Sequence, residues 1–201
     1  MVDEIPSAKE VFDYYQLEAE NFGGHHQNFM YRMGKPWHEA RLDKFYELIN
    51  RFGTPPYLDV GCAEGWFLED DNWVGVDLSL PKLRRGRGRR VWADWDHPPF
   101  RPRSFSTIFF ADGLEHSRYP EETIAALVPL CKYEGHIIFS VTGECKGEFG
   151  KSGHLHGPKP HTVLNWFLSW ERAELVYYEV LDLHFKFIMG VLKRRRLRRL
   201  N

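Results

Sequence analysis

Leu42, Phe45, Tyr46 and Ile49 recur at three- to four-residue spacing, which predicts an amphipathic helix from Pro36 to Phe52. Proline suits its first turn, and Gly53-Thr54-Pro55-Pro56 stops it. Upstream, Ser7 and Glu10 have capping-box spacing and predict a helix from Ala8 to about Glu20, ended by Gly23-Gly24. Beyond Pro56 the pattern changes to short apolar runs. Tyr57–Val60, Trp73–Val76, Arg90–Ala93, Ser106–Ala111 and His136–Val141 read as strands. The unbroken apolar run at Ser106–Ala111 suits a strand buried on both faces. Pro120–Leu130, with acids at its start, and the aromatic-rich Thr162–Arg172 read as helices. Leu175–Leu183 and Phe185–Lys193 read as two strands joined by a tight turn, and so as an antiparallel pair. Alternating strands and helices predict an α/β sandwich around a largely parallel sheet.

Composition narrows the class. The 201 residues make one domain with a helical extension, and 43% hydrophobic residues suffice for a core, which excludes a mostly disordered chain. Cys62, Cys131 and Cys145 are odd in number and widely spaced, so they form neither a disulfide framework nor a CxxC metal site, and a reducing, cytoplasmic setting is expected. The acidic N-terminus lacks the order of a signal peptide, and no apolar run is long enough to span a membrane.

Charge is segregated. The net charge is −1, but Lys82–Arg90 holds six basic residues in nine and Lys193–Arg199 six in seven. The rest has 15 basic residues against 28 acidic ones. Either run could meet nucleic acid or another anionic surface, or simply be solvated charge.

The segment Leu58-Asp59-Val60-Gly61-Cys62-Ala63-Glu64-Gly65 carries most of the chemistry. It leaves a strand and turns on glycines, which let backbone approach a ligand. It is expected to enter a helix whose first N–H groups face an anion. Asp77 closes the second strand, where a carboxylate can accept from a ribose diol. This points to an adenosine-type ligand. The G-x-G-x-x-G dinucleotide spacing and the G-K-[ST] phosphate loop are both absent.

Four segments in order resemble class I S-adenosylmethionine-dependent methyltransferases, of the type that includes quinone-biosynthesis and other small-molecule enzymes. They are Leu58–Gly65; Gly75-Val76-Asp77-Leu78-Ser79; Ala93-Asp94-Trp95-Asp96; and Phe110-Ala111-Asp112-Gly113-Leu114-Glu115-His116 followed by Tyr119-Pro120. Gly153-His154-Leu155-His156 resembles the loop these enzymes place over the acceptor. The resemblance implies a Rossmann-like three-layer sandwich with a mostly parallel seven-stranded sheet and an antiparallel C-terminal strand. Residues 1–54 would be a helical extension or cap, 55–193 the donor-binding core and 194–201 a basic tail. It implies that Gly61, Ala63 and Gly65 line the methionine end and that Asp77 holds the ribose, with Asp59, Cys62 and Leu78 also among the cofactor-binding residues. Asp94 and Trp95 would meet the adenine, and Ala111 and Gly113 would pass under the sulfonium. Arg41, or Arg32, would pair with the donor carboxylate. Ala63 replaces the second glycine of the motif, and eleven residues between Gly65 and Asp77 leave room for a first helix of about two turns.

His116, Asp112, His154 and His156 are the candidate proton acceptors, each with an ordinary turn or loop role as its alternative. His154 and His156 alternate, so an extended loop would turn both into one cleft. No third ligand is spaced to join them on a metal ion, so no metal is expected. The aromatics Trp37, Trp66, Trp95, Trp166, Phe167 and Trp170 divide between core and acceptor pocket, and His25-His26 is expected to be exposed. Three functions stay open: methyl transfer to a small-molecule acceptor, methyl transfer to RNA or another polyanion, and donor binding without turnover. An N-terminal lid bearing Tyr31, Arg32, Gly23, Gly24 and Gly34 is a further expectation.

Overall fold

The computed structural model describes residues 6–21, 35–144, 154–168, 172–183 and 186–196. Gly23, Gly24, His25, His26, Tyr31, Arg32, Gly34, Cys145 and Trp170 lie outside the described residues.

Helix α1 spans Ala8–Asn21 and α2 spans Pro36–Phe52, each starting at its expected residue. The capping box forms: the Ser7 N–H donates to Glu10 Oε2 at 2.7 Å, and the Glu10 N–H reaches Ser7 Oγ at 3.3 Å. There follow β1 (Tyr57–Val60), β2 (Trp73–Asp77), α3 (Leu80–Arg85), β3 (Arg89–Trp92) and β4 (Phe105–Phe110). A 3-10 turn at Leu114–His116 precedes α4 (Pro120–Leu127), which tightens to 3-10 over Val128–Leu130. The chain closes with β5 (Cys131–Gly143), α5 (Pro160–Leu168), β6 (Ala173–Asp182) and β7 (Lys186–Arg194).

The seven strands form one sheet in the order β3-β2-β1-β4-β5-β7-β6. The five on the β3 to β5 side run parallel, while β7 is antiparallel to both β5 and β6. This is the Rossmann-like methyltransferase arrangement. Helices cover both faces. On one face Phe139 and Phe167 stack at 3.6 Å within a core that includes Ile124 and Leu127 of α4. On the other, Phe45 and Leu48 of α2 pack on Phe109, Ile138 and Met189. β4 contributes to both cores, Ile108 to the first and Phe109 to the second, which is why its sequence does not alternate.

One expectation fails. No helix follows β1: residues 61–72 are turns and bends. The twelve-residue link, 61–72, is spent on crossing from β1 to its parallel neighbour, and Gly65 at φ +80° bends the segment where a helix would continue. Two boundaries also move. β5 begins at Cys131, five residues ahead of its expected start, through a register shift against β4 between Phe105 and Thr107. The last helix begins at Pro160, two residues early.

Candidate active site

The site lies at the carboxyl ends of β1, β2 and β4, beside the point where strand order reverses between β1 and β4. Gly61 at φ +70° turns the chain off β1, and its missing Cβ would meet Phe110 and Trp95 at 3.7 and 3.8 Å. Ala63 keeps a left-handed φ of 46°, a conformation a glycine holds without strain.

The amides of this loop are engaged with the protein. Gly61 and Cys62 N–H donate to the Val76 carbonyl, Gly65 N–H to that of Cys62, and Ala63 N–H to Asp77 Oδ2 at 2.8 Å. With no helix behind them, these groups do not form the anion cradle expected from the sequence. The loop is therefore a poor seat for a pyrophosphate, and suits a ligand whose recognition rests on a carboxylate and apolar walls.

Asp77 is buried, with Oδ1 accepting the Ser79 N–H at 2.7 Å and Oδ2 that of Ala63. Burial pushes its carboxyl up, while Lys82 and the two N–H donors pull it down. Each oxygen retains lone-pair capacity for a further donor such as a ribose hydroxyl. Lys82 is buried and lies 5.7 Å from the Tyr15 ring, so the first basic run begins as part of this site. Arg85 pairs with Glu64, and Arg87 donates to the Gly65 and Trp66 carbonyls. In the second run, Lys193 and Arg195 pair with Glu134 and Glu174. Lys193 and Arg194 belong to β7, so the run begins inside the sheet.

Asp59 is buried inside β1 and lies beneath the loop. Burial, then the neighbouring Asp77, pushes its carboxyl well above the usual range. A raised folded-state pKa contributes stability at low pH and loses it as pH rises through that pKa. Asp59→Asn is therefore expected to raise Tm relative to the parent at about pH 8 and to lose that advantage near pH 4, measured by thermal melts. Cys62 is buried, and burial pushes its thiol far up, so it is a packing residue and not a nucleophile. It also sets the loop height: a Cβ at Gly75 would meet Cys62 Sγ at 2.4 Å and Cβ at 2.8 Å. Gly75→Ala is expected to lower stability by about 1–3 kcal/mol.

Trp95 is buried against Phe110 at 5.8 Å and faces Tyr15 at 6.4 Å. Asp94 is half-exposed, with Oδ1 accepting the Asp96 N–H at 2.9 Å. The Leu78 carbonyl accepts from Trp92 Nε1 and from Gln16 Nε2, both at 2.9 Å. Gln16 Oε1 also accepts the Leu80 N–H, and Ser79 Oγ donates to the Tyr15 carbonyl. Helix α1 is thereby tied across the end of β2 and over the glycine loop's neighbourhood. Tyr15, Gln16 and Lys82 were missed as site residues. The capping box fixes that helix in the sequence, but nothing local says where it docks.

Arg41 and Asp112 form a salt bridge at the base of the site. Arg41 is buried, with its guanidinium 5.1 Å from the Phe187 ring and 5.7 Å from that of Phe45. Asp112, at φ 48°, also accepts a hydrogen bond from Ser140 Oγ. Both residues singled out separately, Arg41 for the donor and Asp112 as a base, are thus committed to each other. Ala111 is partly buried on the α2 side, and Gly113 is buried with its absent Cβ in the space of the Phe110 ring.

His116 Nδ1 lies 2.7 Å from the Tyr15 hydroxyl, and its ring meets that of His154 edge-on at 4.6 Å. His156 turns away: its Nε2 lies 2.9 Å from the Ser117 carbonyl, and burial pushes its pKa down. The two loop histidines therefore do not share one cleft. Glu115 is fully buried and accepts the Thr142 N–H at 2.9 Å on Oε1, and burial pushes its carboxyl up to about 7. Trp37 stacks on Phe187, while Phe167 is core. Trp166 is half-buried on that core and lies 6.0 Å from the His156 ring, and Trp66 is half-buried. No described helix is long and apolar enough to cross a membrane.

Comparison with known proteins agrees with this geometry. A family model described as a methyltransferase domain matches residues 58–139, from the glycine loop to the middle of β5. An uncharacterized protein of Methanocaldococcus jannaschii is 27% identical over 145 residues, covering 68% of this chain and 62% of that protein. The chain thus spans less than two thirds of that curated relative's length. Among solved structures, the N-methyltransferase NodS of Bradyrhizobium japonicum, in complex with S-adenosyl-L-homocysteine, superposes with a TM-score of 0.69 at 16% identity, covering 92% of this chain and 99% of NodS. A complex between the Haloferax volcanii Trm112 methyltransferase activator and a methyltransferase gives 0.70 at 12% identity, covering 90% and 98%. Residues 58–139 thus match a methyltransferase-domain model, and the chain has the Rossmann-like fold of the solved methyltransferases it resembles.

Proposed function

We propose that the protein transfers the methyl group of S-adenosylmethionine to an oxygen, nitrogen or carbon nucleophile of a small-molecule acceptor. The observation that carries this reading is the glycine loop clasped to Asp77, with Trp95, Tyr15 and His116 opening beside it. When bound, the donor supplies an electrophilic methyl on a sulfonium. Asp77 would hold the ribose, with Leu78 beside it. Gly61, Ala63 and Gly65 would flank the amino-acid end. Asp94 would accept from the adenine amino group while Trp95 walls the ring. Ala111 and Gly113 would pass under the sulfonium, with the Phe110 ring filling the side of Gly113.

The chain's main contribution is alignment of the acceptor with the methyl, an effect with an upper range of about 7–11 kcal/mol. His116 and His154, whose rings meet edge-on, would be the groups that take a proton from a protonated acceptor, a step worth about 10²–10⁴-fold. Asp112 is held by Arg41 and is a positioning residue in this scheme. His156, turned to the Ser117 carbonyl, would shape the acceptor loop. A small acceptor is favoured over a polyanion because Arg85 and Arg87 are engaged with the site's own loop and Lys82 is buried against Tyr15.

Calorimetric titration of S-adenosylhomocysteine, followed by a labelled-methyl screen of cell extract, tests the reading. Micromolar donor binding and a labelled small product are expected. Absence of donor binding overturns it. Label appearing in RNA, with steep salt dependence, replaces the acceptor class.

A further inference from the structure

We propose that Glu115, His116 and His154 bind a divalent first-row transition-metal ion at the acceptor side of the methyl-transfer site. The three residues come from two separated segments, the 3-10 turn after β4 and the loop before α5. One ligand atom from each lies within 4.8 Å of the others. Backbone bonding holds the two segments together. Leu155 and His156 N–H groups both donate to the Glu115 carbonyl, at 2.8 and 3.1 Å. The loop bearing His154 is therefore pinned onto the turn bearing the other two residues.

A second, independent observation points to a cation. Glu115 is fully buried, and its Oε2 has no hydrogen-bond partner, while Oε1 accepts from the Thr142 N–H. A buried carboxylate oxygen without a donor is costly, and a bound cation removes that cost. The surroundings also orient the ligands. The Tyr15 hydroxyl sets the His116 ring from Nδ1, and the Thr142 N–H sets the carboxylate, as outer-shell partners do around metal ligands.

The donor set selects the ion. Two imidazoles and one carboxylate suit zinc, iron, cobalt or manganese in the divalent state better than magnesium or calcium, which prefer oxygen ligands. Ligand distances of about 2.0–2.2 Å require the three atoms to draw together. Three protein ligands leave positions open for the acceptor.

This role rests on the methyltransferase reading and deepens it toward an oxygen acceptor. In this role His116 and His154 hold the ion in place of taking the proton, and a hydroxyl oxygen of the acceptor coordinates the ion and releases its proton to solvent. An oxygen lone pair then forms the new bond to the donor methyl carbon. The methyl–sulfur bond breaks, and its electron pair stays on sulfur, leaving a neutral thioether.

The test is metal binding, read apart from turnover. Chelator-treated protein is titrated with cobalt(II), zinc(II) and magnesium(II) by calorimetry and by the cobalt d–d absorption, and with S-adenosylhomocysteine in parallel. One equivalent of cobalt or zinc is expected, with magnesium much weaker. His116→Ala and His154→Ala are each expected to weaken cobalt binding by more than about ten-fold. His154 sits on a loop, so that variant is expected to keep the parent's melting behaviour. No stoichiometric cobalt in the parent, or undiminished binding in both variants, overturns the site. S-adenosylhomocysteine binding without metal binding refutes the metal site alone. Metal binding without S-adenosylhomocysteine binding refutes the donor site alone.

Discussion

Asp77→Ala is expected to abolish measurable donor binding, a loss of at least about 100-fold, because it removes three interactions at once. The carboxylate holds the Ala63 N–H, and with it the shape of the glycine loop. It holds the Ser79 N–H, and with it the start of α3. It is also the acceptor proposed for the ribose diol. The first two contacts are buried, so each orphaned N–H costs about 1–3 kcal/mol. Asp77→Asn keeps one acceptor oxygen and is expected to fall between parent and alanine variant. Calorimetry with S-adenosylhomocysteine gives the affinity, and a thermal melt of each variant separates loss of the ligand contact from loss of the loop. Parent-like affinity in the alanine variant sinks the assignment of this carboxylate.

Asp112→Ala is expected to cost about 3–5 kcal/mol of stability, the larger effect on the fold itself. Its carboxylate answers the charge of Arg41, which is buried against Phe45 and Phe187. Removing the carboxylate leaves a guanidinium in a low-dielectric environment without its countercharge. Asp112→Ala combined with Arg41→Met should recover much of the loss, because the pair's desolvation cost disappears with the pair. Denaturant unfolding of the two single variants and the double variant gives the coupling directly. Additive losses would show that the two residues do not act as a unit.

Local pattern carried most of the architecture. The starts of α1 and α2 follow from a capping box and a proline, both read within a few residues of each helix end. The apolar character of β4 follows from its place between two cores. The antiparallel β6–β7 pair follows from a turn too short for a crossover. The helix after β1 was illegible because a glycine turn followed by polar residues looks alike whether a helix or a series of turns continues it. Only the distance to be crossed to β2 distinguishes them.

The site divides along the same line. The glycine loop and Asp77 were legible because one strand–turn–strand unit places both, and their spacing alone implies proximity. Tyr15 over Trp95, Arg41 on Asp112 and Glu115 beside His154 were not, because each pair joins segments whose separation carries no periodic signal. His154 and His156, adjacent in alternation, diverge because the Ser117 carbonyl captures one of them. What the sequence alone determined is a glycine loop, the carboxylate that clasps it and the parallel sheet that presents them, the part proposed as the donor half. What only the tertiary structure decided is the meeting of Glu115, His116 and His154, the part proposed as the acceptor half. Local periodicity constrains neighbours along a strand or helix, whereas the meeting of two loops depends on how the whole sheet and its covering helices pack.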